Sequence, residues 1–314
     1  MKISILEPIG IDASKFNQIQ SSFEKLGHEV VFFSDRNENE AELIKRADGA
    51  DAIVVSNIPL SANFIANCPN LSMISVAFTG VDHIDMKACN ERDILVSNAA
   101  GFSTESVAEL TLGMILSLYR KIVGGDAITR AEGSRGAFLG TELNGKCLGI
   151  IGAGDIGLRV AEIAKVFNCR VLAYSRTKKQ IDGVEFVDKA TLLKEADIVS
   201  LHTPLTPETK GLMGEEEFKA MKKTAILINT ARGPVVDSDA LCKALKNGEI
   251  AGAAVDVYEK EPPLKKEHIL FTAPNLIMLP HFAFASHESF GKRIDIVVEN
   301  IKLWLDGKPR NIMN

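Results

Sequence analysis

The chain has 314 residues, enough for two domains, and its formal net charge is −5, so a nucleic-acid partner is not expected. No apolar run is long enough to span a membrane, and the N-terminus begins directly with a strand pattern instead of a signal peptide. The five cysteines are scattered and no zinc-site spacing occurs, which predicts a cytoplasmic protein with reduced thiols and no metal.

The first hundred residues alternate between short β-prone runs and helical patterns. This alternation is typical of a parallel sheet with helices on both faces, so we predict a flavodoxin-like, doubly wound α/β domain. The predicted strands are residues 2–6, 29–33, 52–55, 73–76 and 94–97, and the predicted helices are residues 14–26, 40–47, 61–66 and 85–91.

A glycine turn, Phe78-Thr79-Gly80, follows the fourth predicted strand. Open parallel sheets bind ligands at the carboxyl ends of their strands. Backbone N–H groups in such a turn can bind a small anion such as a carboxylate. On this stretch alone, a plain strand-to-helix turn is an equally good interpretation.

A long helical pattern over residues 105–121 follows the capping residues Ser103 and Thr104. We interpret this helix as the bridge into a second domain. The segment 124–145 is rich in glycine and is predicted to be irregular.

The sequence Gly152-Ala-Gly-Asp-Ile-Gly157 lies between a predicted strand at 146–151 and a helical pattern from residue 158. That context makes a G-x-G-x-x-G fingerprint credible as a dinucleotide site. Gly152 would permit the tight turn, Gly154 the approach of a pyrophosphate, and Gly157 close packing of helix and strand. The second strand of the predicted Rossmann domain covers residues 170–174.

The residues after that second strand bear on the choice of dinucleotide. An NAD site usually has an acidic residue here, which binds the ribose hydroxyls. This chain instead has Ser175, Arg176, Thr177, Lys178 and Lys179. Serine, guanidinium and ammonium groups suit a 2′-phosphate, so the sequence favours NADP(H) over NAD, although a solvated basic turn is the alternative.

The remaining elements continue the alternation. Predicted strands lie at residues 185–187, 197–201, 223–229, 251–255 and 275–279, and predicted helices at 189–195, 237–247 and 286–306. The last helix is expected to pack on the first domain. We therefore predict a substrate domain at residues 1–99 and 286–314 and a dinucleotide-binding domain at residues 100–285.

Three ionisable residues, Arg232, Glu261 and His281, come at or just beyond strand ends of the second domain. The nicotinamide of a dinucleotide lies at this edge of the sheet. Arginine can bind a carboxylate through two hydrogen bonds, and histidine can exchange a proton near neutral pH. A glutamate beside the histidine would orient its ring and favour the protonated form. This set suits hydride transfer to a 2-keto acid.

Together with other motifs, these residues make the chain resemble the D-isomer-specific 2-hydroxyacid dehydrogenase family over almost its entire length. Within that family it resembles the glyoxylate and hydroxypyruvate reductases. The resemblance is carried by six motifs. They are Val107-Ala-Glu109, Gly152 to Gly157, residues 201–206 with Thr209, Asn229 to Gly233, residues 254–257 through Glu261-Pro262, and Leu279-Pro-His281.

The resemblance implies roles for individual residues. Arg232, Glu261 and His281 would be catalytic. Besides the glycine fingerprint, the implied cofactor residues are Thr104, Asp155, Ile156, His202, Thr203, Pro204, Thr209, Thr230, Ala231, Arg232, Asp256 and His281. The implied substrate residues are Asn57, Phe78, Thr79, Gly80 and Arg232. Members of this family are usually homodimers.

The chain departs from the family pattern at three places. Phe282-Ala-Phe284 replaces a glycine-rich turn after the histidine, no phosphate-binding arginine follows the third strand, and the chain ends at Asn314 without a serine-sensing domain. We therefore expect a small unphosphorylated 2-keto acid such as glyoxylate or hydroxypyruvate as substrate. A phosphoglycerate dehydrogenase-like enzyme and a non-enzymatic nicotinamide-nucleotide sensor, as in the C-terminal-binding corepressors, are the alternatives.

Overall fold

The computed structural model describes residues 1–10, 13–177 and 179–314. These residues form two compact units: unit 1 comprises Met1–Ser103 and Ser286–Asn314, and unit 2 comprises Thr104–Ala285. The first boundary predicted from the sequence, after residue 99, lies in the segment just before the observed one. The second predicted boundary, after residue 285, coincides with the observed one.

Unit 1 is built on a five-stranded parallel sheet with the strand order β2-β1-β3-β4-β5. This is the flavodoxin-like order that the sequence predicted. Its strands are β1 (Lys2–Ile5), β2 (Glu29–Phe32), β3 (Ala52–Val55), β4 (Met73–Val76) and β5 (Leu95–Ser97). Its first helices are α1 (Ala13–Glu24), α2 (Glu40–Arg46), α3 (Ala62–Ala66) and α4 (Met86–Glu91). Strands β3 and β4 are buried at every position, which explains their uninterrupted runs of small and apolar residues.

Unit 2 contains a seven-stranded parallel sheet with the order β12-β11-β10-β9-β6-β7-β8, which is the doubly wound Rossmann arrangement. Its strands are β6 (Cys147–Ile151), β7 (Arg170–Tyr174), β8 (Val184–Phe186), β9 (Ile198–Leu201), β10 (Ile226–Asn229), β11 (Gly252–Val255) and β12 (Leu276–Met278). Its helices are α5 (Thr104–Tyr119), α6 (Ile122–Arg130), α7 (Asp155–Val166), α8 (Lys189–Glu195), α9 (Glu215–Ala220) and α10 (Ser238–Lys246). The fold class predicted from the sequence is confirmed for both units.

Alternate residues of the unit 2 strands fill two hydrophobic cores, one on each face of the sheet. Ile150 and Ile198 belong to the core that contains residues of α5 and α7. Ile151 and Val199 belong to the opposite core, which contains residues of α8, α9 and α10. Both faces are therefore covered, as a parallel sheet requires.

The final helix, α11 (His287–Leu305), returns to unit 1 and contacts β4. A hydrogen bond from Asn300 Nδ2 to the Asn98 carbonyl (2.8 Å) helps to hold it there. Arg293 of the same helix donates to the Ile9 carbonyl (2.6 Å). The C-terminal residues thus complete the first unit.

One local prediction was wrong. Segment 124–145 was expected to be irregular, yet α6 occupies its beginning and includes Gly124. The ring of Phe138 packs over that glycine, where an added Cβ would lie 3.1 Å from Cζ, and Lys121 Nζ lies 5.0 Å from the ring centroid. These contacts outweigh the low helix propensity of glycine.

Helix α9 was not predicted, because its six residues are too few to show a period. Its only buried side chain is Phe218. Glu217 Oε2 accepts a hydrogen bond from the Gly214 N–H (3.1 Å) and thereby caps the helix.

Candidate active site and dinucleotide site

The glycine fingerprint forms the turn between β6 and α7. Gly152 has φ +103°, and an added Cβ would lie 2.4 Å from the His202 carbonyl oxygen. An added Cβ at Gly157 would lie 2.2 Å from the Gly152 carbonyl oxygen. A Cβ at Gly154 would meet nothing within 4 Å. Two of the glycines are therefore required by packing, and the third faces open space that a ligand can occupy.

The N-terminus of α7 lies directly behind this open space. Gly154 is the N-cap residue and supplies no side chain to the first turn. The N–H groups of Asp155 and Ile156 lie in that turn and have no acceptor within the helix. Together with the helix dipole, they form a site suited to a phosphate group.

Two basic residues, Arg176 and Lys179, follow β7, and one of them contacts the fingerprint. Lys179 Nζ donates to the Ala153 carbonyl oxygen (3.2 Å), which lies within the fingerprint itself. Arg176 is exposed. The hydroxyl of Thr206 is the main cause that lowers the pKa of Glu208, and the charge of Arg176 is a smaller one. Ser175 is partly buried and Thr177 is exposed, whereas Lys178 lies outside the described residues.

The loop after β9 closes the other side of the fingerprint. His202 Nε2 lies 2.9 Å from Ser200 Oγ, and burial lowers the pKa of His202 to about 4, so its ring is neutral at physiological pH. The Thr203 hydroxyl is buried and has no hydrogen-bond partner within the described chain. A buried hydroxyl without a partner is costly, and a bound ligand would remove that cost.

A hydrogen bond joins Pro204 and Thr209 in the same loop. Thr209 Oγ1 donates to the Pro204 carbonyl (2.6 Å) and accepts from the Thr206 N–H (2.8 Å). Thr209 therefore fixes the shape of the loop. Pro204 is exposed, so a ligand can contact it. Thr104 begins α5, which packs against α7.

The turn after β10 positions Arg232. Asn229 is buried, accepts from the Ala231 N–H (3.0 Å) through Oδ1, and donates to the Arg232 carbonyl (3.0 Å) through Nδ2. The Thr230 hydroxyl lies 3.2 Å from that of Thr111 on α5. These bonds hold the turn that carries Thr230, Ala231 and Arg232, three of the cofactor residues that the resemblance implies.

Gly233 brings this turn against the segment that leads to Glu261. An added Cβ at Gly233 would lie 1.9 Å from the carbonyl carbon of Tyr258. Only glycine permits this approach. Arg232 is thereby placed beside the chain segment of residues 256–261, and its side chain is partly buried.

Asp256 holds the loop that carries the histidine. Its Oδ1 accepts from the Phe282 N–H (3.0 Å) and its Oδ2 accepts from the Ala283 N–H (2.8 Å). The carboxyl group is fully buried, and this burial raises its pKa although the two N–H groups oppose the shift. Both of its oxygens are thus engaged in positioning the residues that follow His281.

His281 and Glu261 lie in contact, with 2.9 Å between Nδ1 and Oε2. The histidine side chain is 23% exposed, so it is shielded yet reachable. The ring of Phe284 contacts the imidazole edge-on, with 5.7 Å between the centroids and an angle of 90°. Phe282 points to solvent and is 39% exposed. Of the two phenylalanines that depart from the family pattern, Phe284 is therefore the one beside the histidine.

In unit 1, the predicted substrate residues lie at the carboxyl ends of the neighbouring strands β3 and β4. Asn98, which is buried, donates to the Thr79 carbonyl (2.7 Å), and the Ala99 N–H donates to the Phe78 carbonyl (2.9 Å). The N–H groups of Thr79 and Gly80 have no acceptor within the described ranges. The turn therefore presents two backbone donors, as a carboxylate anchor would need.

Asn57 follows β3, and its side chain accepts a hydrogen bond from Arg36 Nη1 (2.7 Å). Its backbone N–H donates to the buried carboxylate of Glu7 (3.1 Å). The sequence reasoning missed both Glu7 and Arg36. A charged residue at the end of the apolar run at residues 3–6 was the available signal for Glu7.

The chemistry of these groups fits a dinucleotide ligand. Within the part of the chain that is described, no three His, Cys, Asp or Glu side chains come together as a metal site. The open space at Gly154, the uncapped first turn of α7 and the unpartnered Thr203 hydroxyl fit a dinucleotide. Among the described residues, no helix is both long and apolar enough to cross a membrane.

The chain is similar to proteins of known activity. Residues 112–283 match the model of the D-isomer specific 2-hydroxyacid dehydrogenase NAD-binding domain. A glyoxylate reductase from Thermococcus litoralis is 40% identical over 286 residues, covering 87% of this chain and 85% of the relative. A D-3-phosphoglycerate dehydrogenase from Methanocaldococcus jannaschii is 39% identical over 322 residues, covering 100% of this chain and 59% of the relative. The solved structure of an acyclic imino acid reductase in complex with NADPH and D-Arg has a TM-score of 0.92 and 30% identity over 100% of both chains.

Proposed function

The chain belongs to the D-isomer-specific 2-hydroxyacid dehydrogenase family, whose members transfer a hydride between a nicotinamide cofactor and a 2-keto or 2-hydroxy acid, and from that premise we propose that it reduces a small unphosphorylated 2-keto acid. Glyoxylate and hydroxypyruvate are the proposed substrates. The identity to a glyoxylate reductase supports this choice. The observation that carries the proposal is the His281–Glu261 pair at 2.9 Å, in the same unit as the glycine fingerprint.

The proposed catalytic roles follow from the chemistry of the three side chains. When bound, the nicotinamide supplies the hydride to the keto carbon. Arg232 binds the substrate carboxylate and polarises the keto oxygen, because its planar group offers paired donors. His281 donates a proton to the oxygen that becomes the alcohol, through Nε2, since its Nδ1 faces Glu261. Glu261 keeps the ring in that orientation through its contact with Nδ1.

The carboxylate anchor at Phe78, Thr79 and Gly80 is a further part of this proposal. Within unit 1, its two backbone donors at Thr79 and Gly80 suit a carboxylate. The Asn98 hydrogen bond to Thr79 makes the turn rigid, so the donors are oriented before the substrate arrives.

We propose NADP(H) as the preferred cofactor. Arg176 and Lys179 both follow β7, where a 2′-phosphate would bind, and Lys179 already bonds to the fingerprint. No acidic residue lies between Tyr174 and Gln180. The similarity to a reductase in complex with NADPH supports the proposal. NAD(H) is the proposed weaker second cofactor.

We also propose a homodimer in the cytoplasm. Helix α6 has no buried residue, and Ile122, Val123 and Leu139 are each more than half exposed. Exposed apolar side chains grouped in this way are typical of an interface. All five cysteines are free and buried, and burial raises the pKa of Cys68, Cys89 and Cys169 to about 11, which suits a reducing compartment.

The test of the proposed function is the oxidation of NADPH and NADH in the presence of glyoxylate, hydroxypyruvate, pyruvate, phenylpyruvate or 3-phosphohydroxypyruvate. We expect turnover with glyoxylate or hydroxypyruvate and a higher kcat/KM with NADPH. Preference for 3-phosphohydroxypyruvate would favour a phosphoglycerate dehydrogenase-like activity, in line with the relative that matches the whole chain. Tight nucleotide binding without turnover of any keto acid would favour the sensor function.

A further inference from the structure

A carboxylate of the protein itself occupies an anion-binding turn in unit 1. Glu7 follows β1 and is 1% exposed. Its Oε1 accepts from the backbone N–H groups of Ser56 (2.7 Å), Asn57 (3.1 Å) and Ile58 (3.1 Å). Three consecutive N–H groups directed at one point form an anion site, and Glu7 fills it.

The second oxygen of Glu7 binds a guanidinium group at the rim of the same turn. Arg36 Nη1 lies 2.5 Å from Glu7 Oε2 and 2.7 Å from Asn57 Oδ1. The Nε and Nη2 atoms of Arg36 contact Glu38 Oε1 at 2.9 and 2.8 Å. Arg36 is 42% exposed, so a cation stands beside Asn57 and two carboxylates compensate its charge.

A buried arginine fixes the positions of both partners. Arg46 of α2 is 6% exposed, and its Nη1 donates to the carbonyls of Leu6 (3.0 Å) and Asp35 (3.0 Å). These residues come immediately before Glu7 and Arg36 in the chain. The side chain of Arg46 therefore holds the backbone just before Glu7 and the backbone just before Arg36.

We propose that the Glu7–Arg36 pair determines whether the enzyme accepts a substrate with a second negative charge. Arg36 is the cation at the substrate wall formed by Asn57, and Glu7 compensates the charge of Arg36. This inference rests on the proposed function, in which the carboxyl edge of β3 and β4 binds the 2-keto acid. Arg36, Glu7 and Glu38 together carry one net negative charge, which does not repel a substrate with a neutral tail such as hydroxypyruvate. A second anionic group on the substrate, such as a phosphate, is repelled by that net negative charge and is rejected.

The test compares kcat/KM for hydroxypyruvate and for 3-phosphohydroxypyruvate in the full-length enzyme and in Glu7→Gln. The glutamine retains an oxygen for the three N–H groups but removes one of the two negative charges that compensate Arg36. We expect the ratio of the two values to move toward the phosphorylated substrate by about tenfold or more, because a repulsive charge is lost and an attractive one is released. The double variant Glu7→Gln/Arg36→Gln should return the ratio to within about threefold of wild type, since neither charge remains.

Two further variants serve as controls. Glu42→Gln removes one negative charge from unit 1 beside Arg46 instead of Arg36, and should leave the ratio unchanged. Arg36→Gln alone leaves the charge of Glu7 uncompensated and should move the ratio several-fold in the opposite direction, toward hydroxypyruvate. If Glu7→Gln does not fold, Arg36→Gln still tests whether the pair sets the ratio of the two kcat/KM values.

Wild-type turnover distinguishes a failure of the proposed specificity role from a failure of the proposed function. A wild-type enzyme that reduces hydroxypyruvate, but whose ratio is unchanged in both Glu7→Gln and Arg36→Gln, would overturn the specificity role and leave the proposed function standing. An equal shift in Glu7→Gln and in the double variant would also overturn it, because displacement of the turn would then be the cause. Absence of wild-type turnover with both acids would overturn the proposed function and this inference together.

Discussion

The backbone at His281 adopts φ +56°, in the left-handed region that residues other than glycine rarely occupy. Such a conformation costs of order 1–3 kcal/mol and persists only where the surroundings fix it. Here Asp256 fixes it, through hydrogen bonds to the two N–H groups that follow the histidine. Phe284 and Glu261 then hold the ring from two directions. The result is an imidazole whose position is set before a substrate binds.

The basic residues after β7 make a prediction about cofactor choice. Arg176→Ala should weaken NADPH binding by about tenfold or more and NADH binding by less than about threefold, because only NADPH carries the 2′-phosphate. Fluorescence titration with each nucleotide measures both constants. Arg170→Ala is a matched control, since that exposed arginine pairs with Glu185 and Glu195 at the other end of β7. Equal losses for the two nucleotides in Arg176→Ala would contradict the assignment.

Burial of His202 makes a prediction about pH and stability. Its pKa is about 4 in the folded chain and about 6.5 when unfolded, so the unfolded state binds the extra proton between these values. Stability should therefore fall as the pH is lowered from about 6.5 to about 4. Between pH 7 and pH 5 this one group accounts for a loss of roughly 2 kcal/mol in the free energy of unfolding.

Urea denaturation of wild type and His202→Asn at pH 7 and pH 5 measures this contribution. The variant should lose less stability between the two pH values than the wild type. An identical loss in both proteins would show that His202 does not carry this part of the pH dependence. His287, which is exposed, provides the control substitution His287→Asn.

At the scale of elements, the β6–α7 turn separates the structural role of glycine from its binding role. Gly157→Ala places a Cβ 2.2 Å from the Gly152 carbonyl oxygen, so it should destabilise unit 2 by roughly 1–3 kcal/mol. Gly154→Ala meets nothing within 4 Å and should fold normally, yet its methyl group would occupy the space of the pyrophosphate. We expect Gly154→Ala to weaken NADPH binding by about tenfold or more with little change in Tm.

Gly113→Ala is the matched control for both variants. Gly113 is an exposed position of α5 with open space around it, so alanine there should preserve nucleotide binding and raise stability by about 0.5–1 kcal/mol. Thermal unfolding and nucleotide titration of the three variants provide the comparison. Normal NADPH affinity in Gly154→Ala would contradict the proposed position of the pyrophosphate.

The elements also show what the sequence could and could not predict. Strands such as β6 and β10 are buried throughout, so their apolar runs were visible, and the residues at their ends followed from the topology of a parallel sheet. The helix at α6 depends on Phe138, which packs on it from outside the helix, and local propensity therefore failed there. The contact between Glu7 and Asn57 spans 50 residues and is set by packing of β1 beside β3, which no local pattern encodes.

At the scale of the whole molecule, the exposed apolar side chains near α6 predict self-association. Ile122 is 54% exposed and Leu139 is 68% exposed. If these residues form a dimer interface, Leu139→Asp should shift sedimentation from dimer to monomer at micromolar concentration, because a charge in an apolar interface is costly. Leu26→Asp, at a position of unit 1 that is 60% exposed, is the control. A dimer that persists in Leu139→Asp would place the interface elsewhere, and a wild-type monomer would contradict the proposed dimer.

The central claim is that His281 supplies the proton for reduction of a 2-keto acid. The most direct test is the rate of NADPH oxidation with hydroxypyruvate by wild type and by His281→Ala, measured together with the Kd for NADPH. We predict a loss of about 10²–10⁴-fold in kcat, the usual contribution of a general acid, with the Kd for NADPH within about threefold of wild type. Turnover by His281→Ala close to that of the wild type would contradict the account.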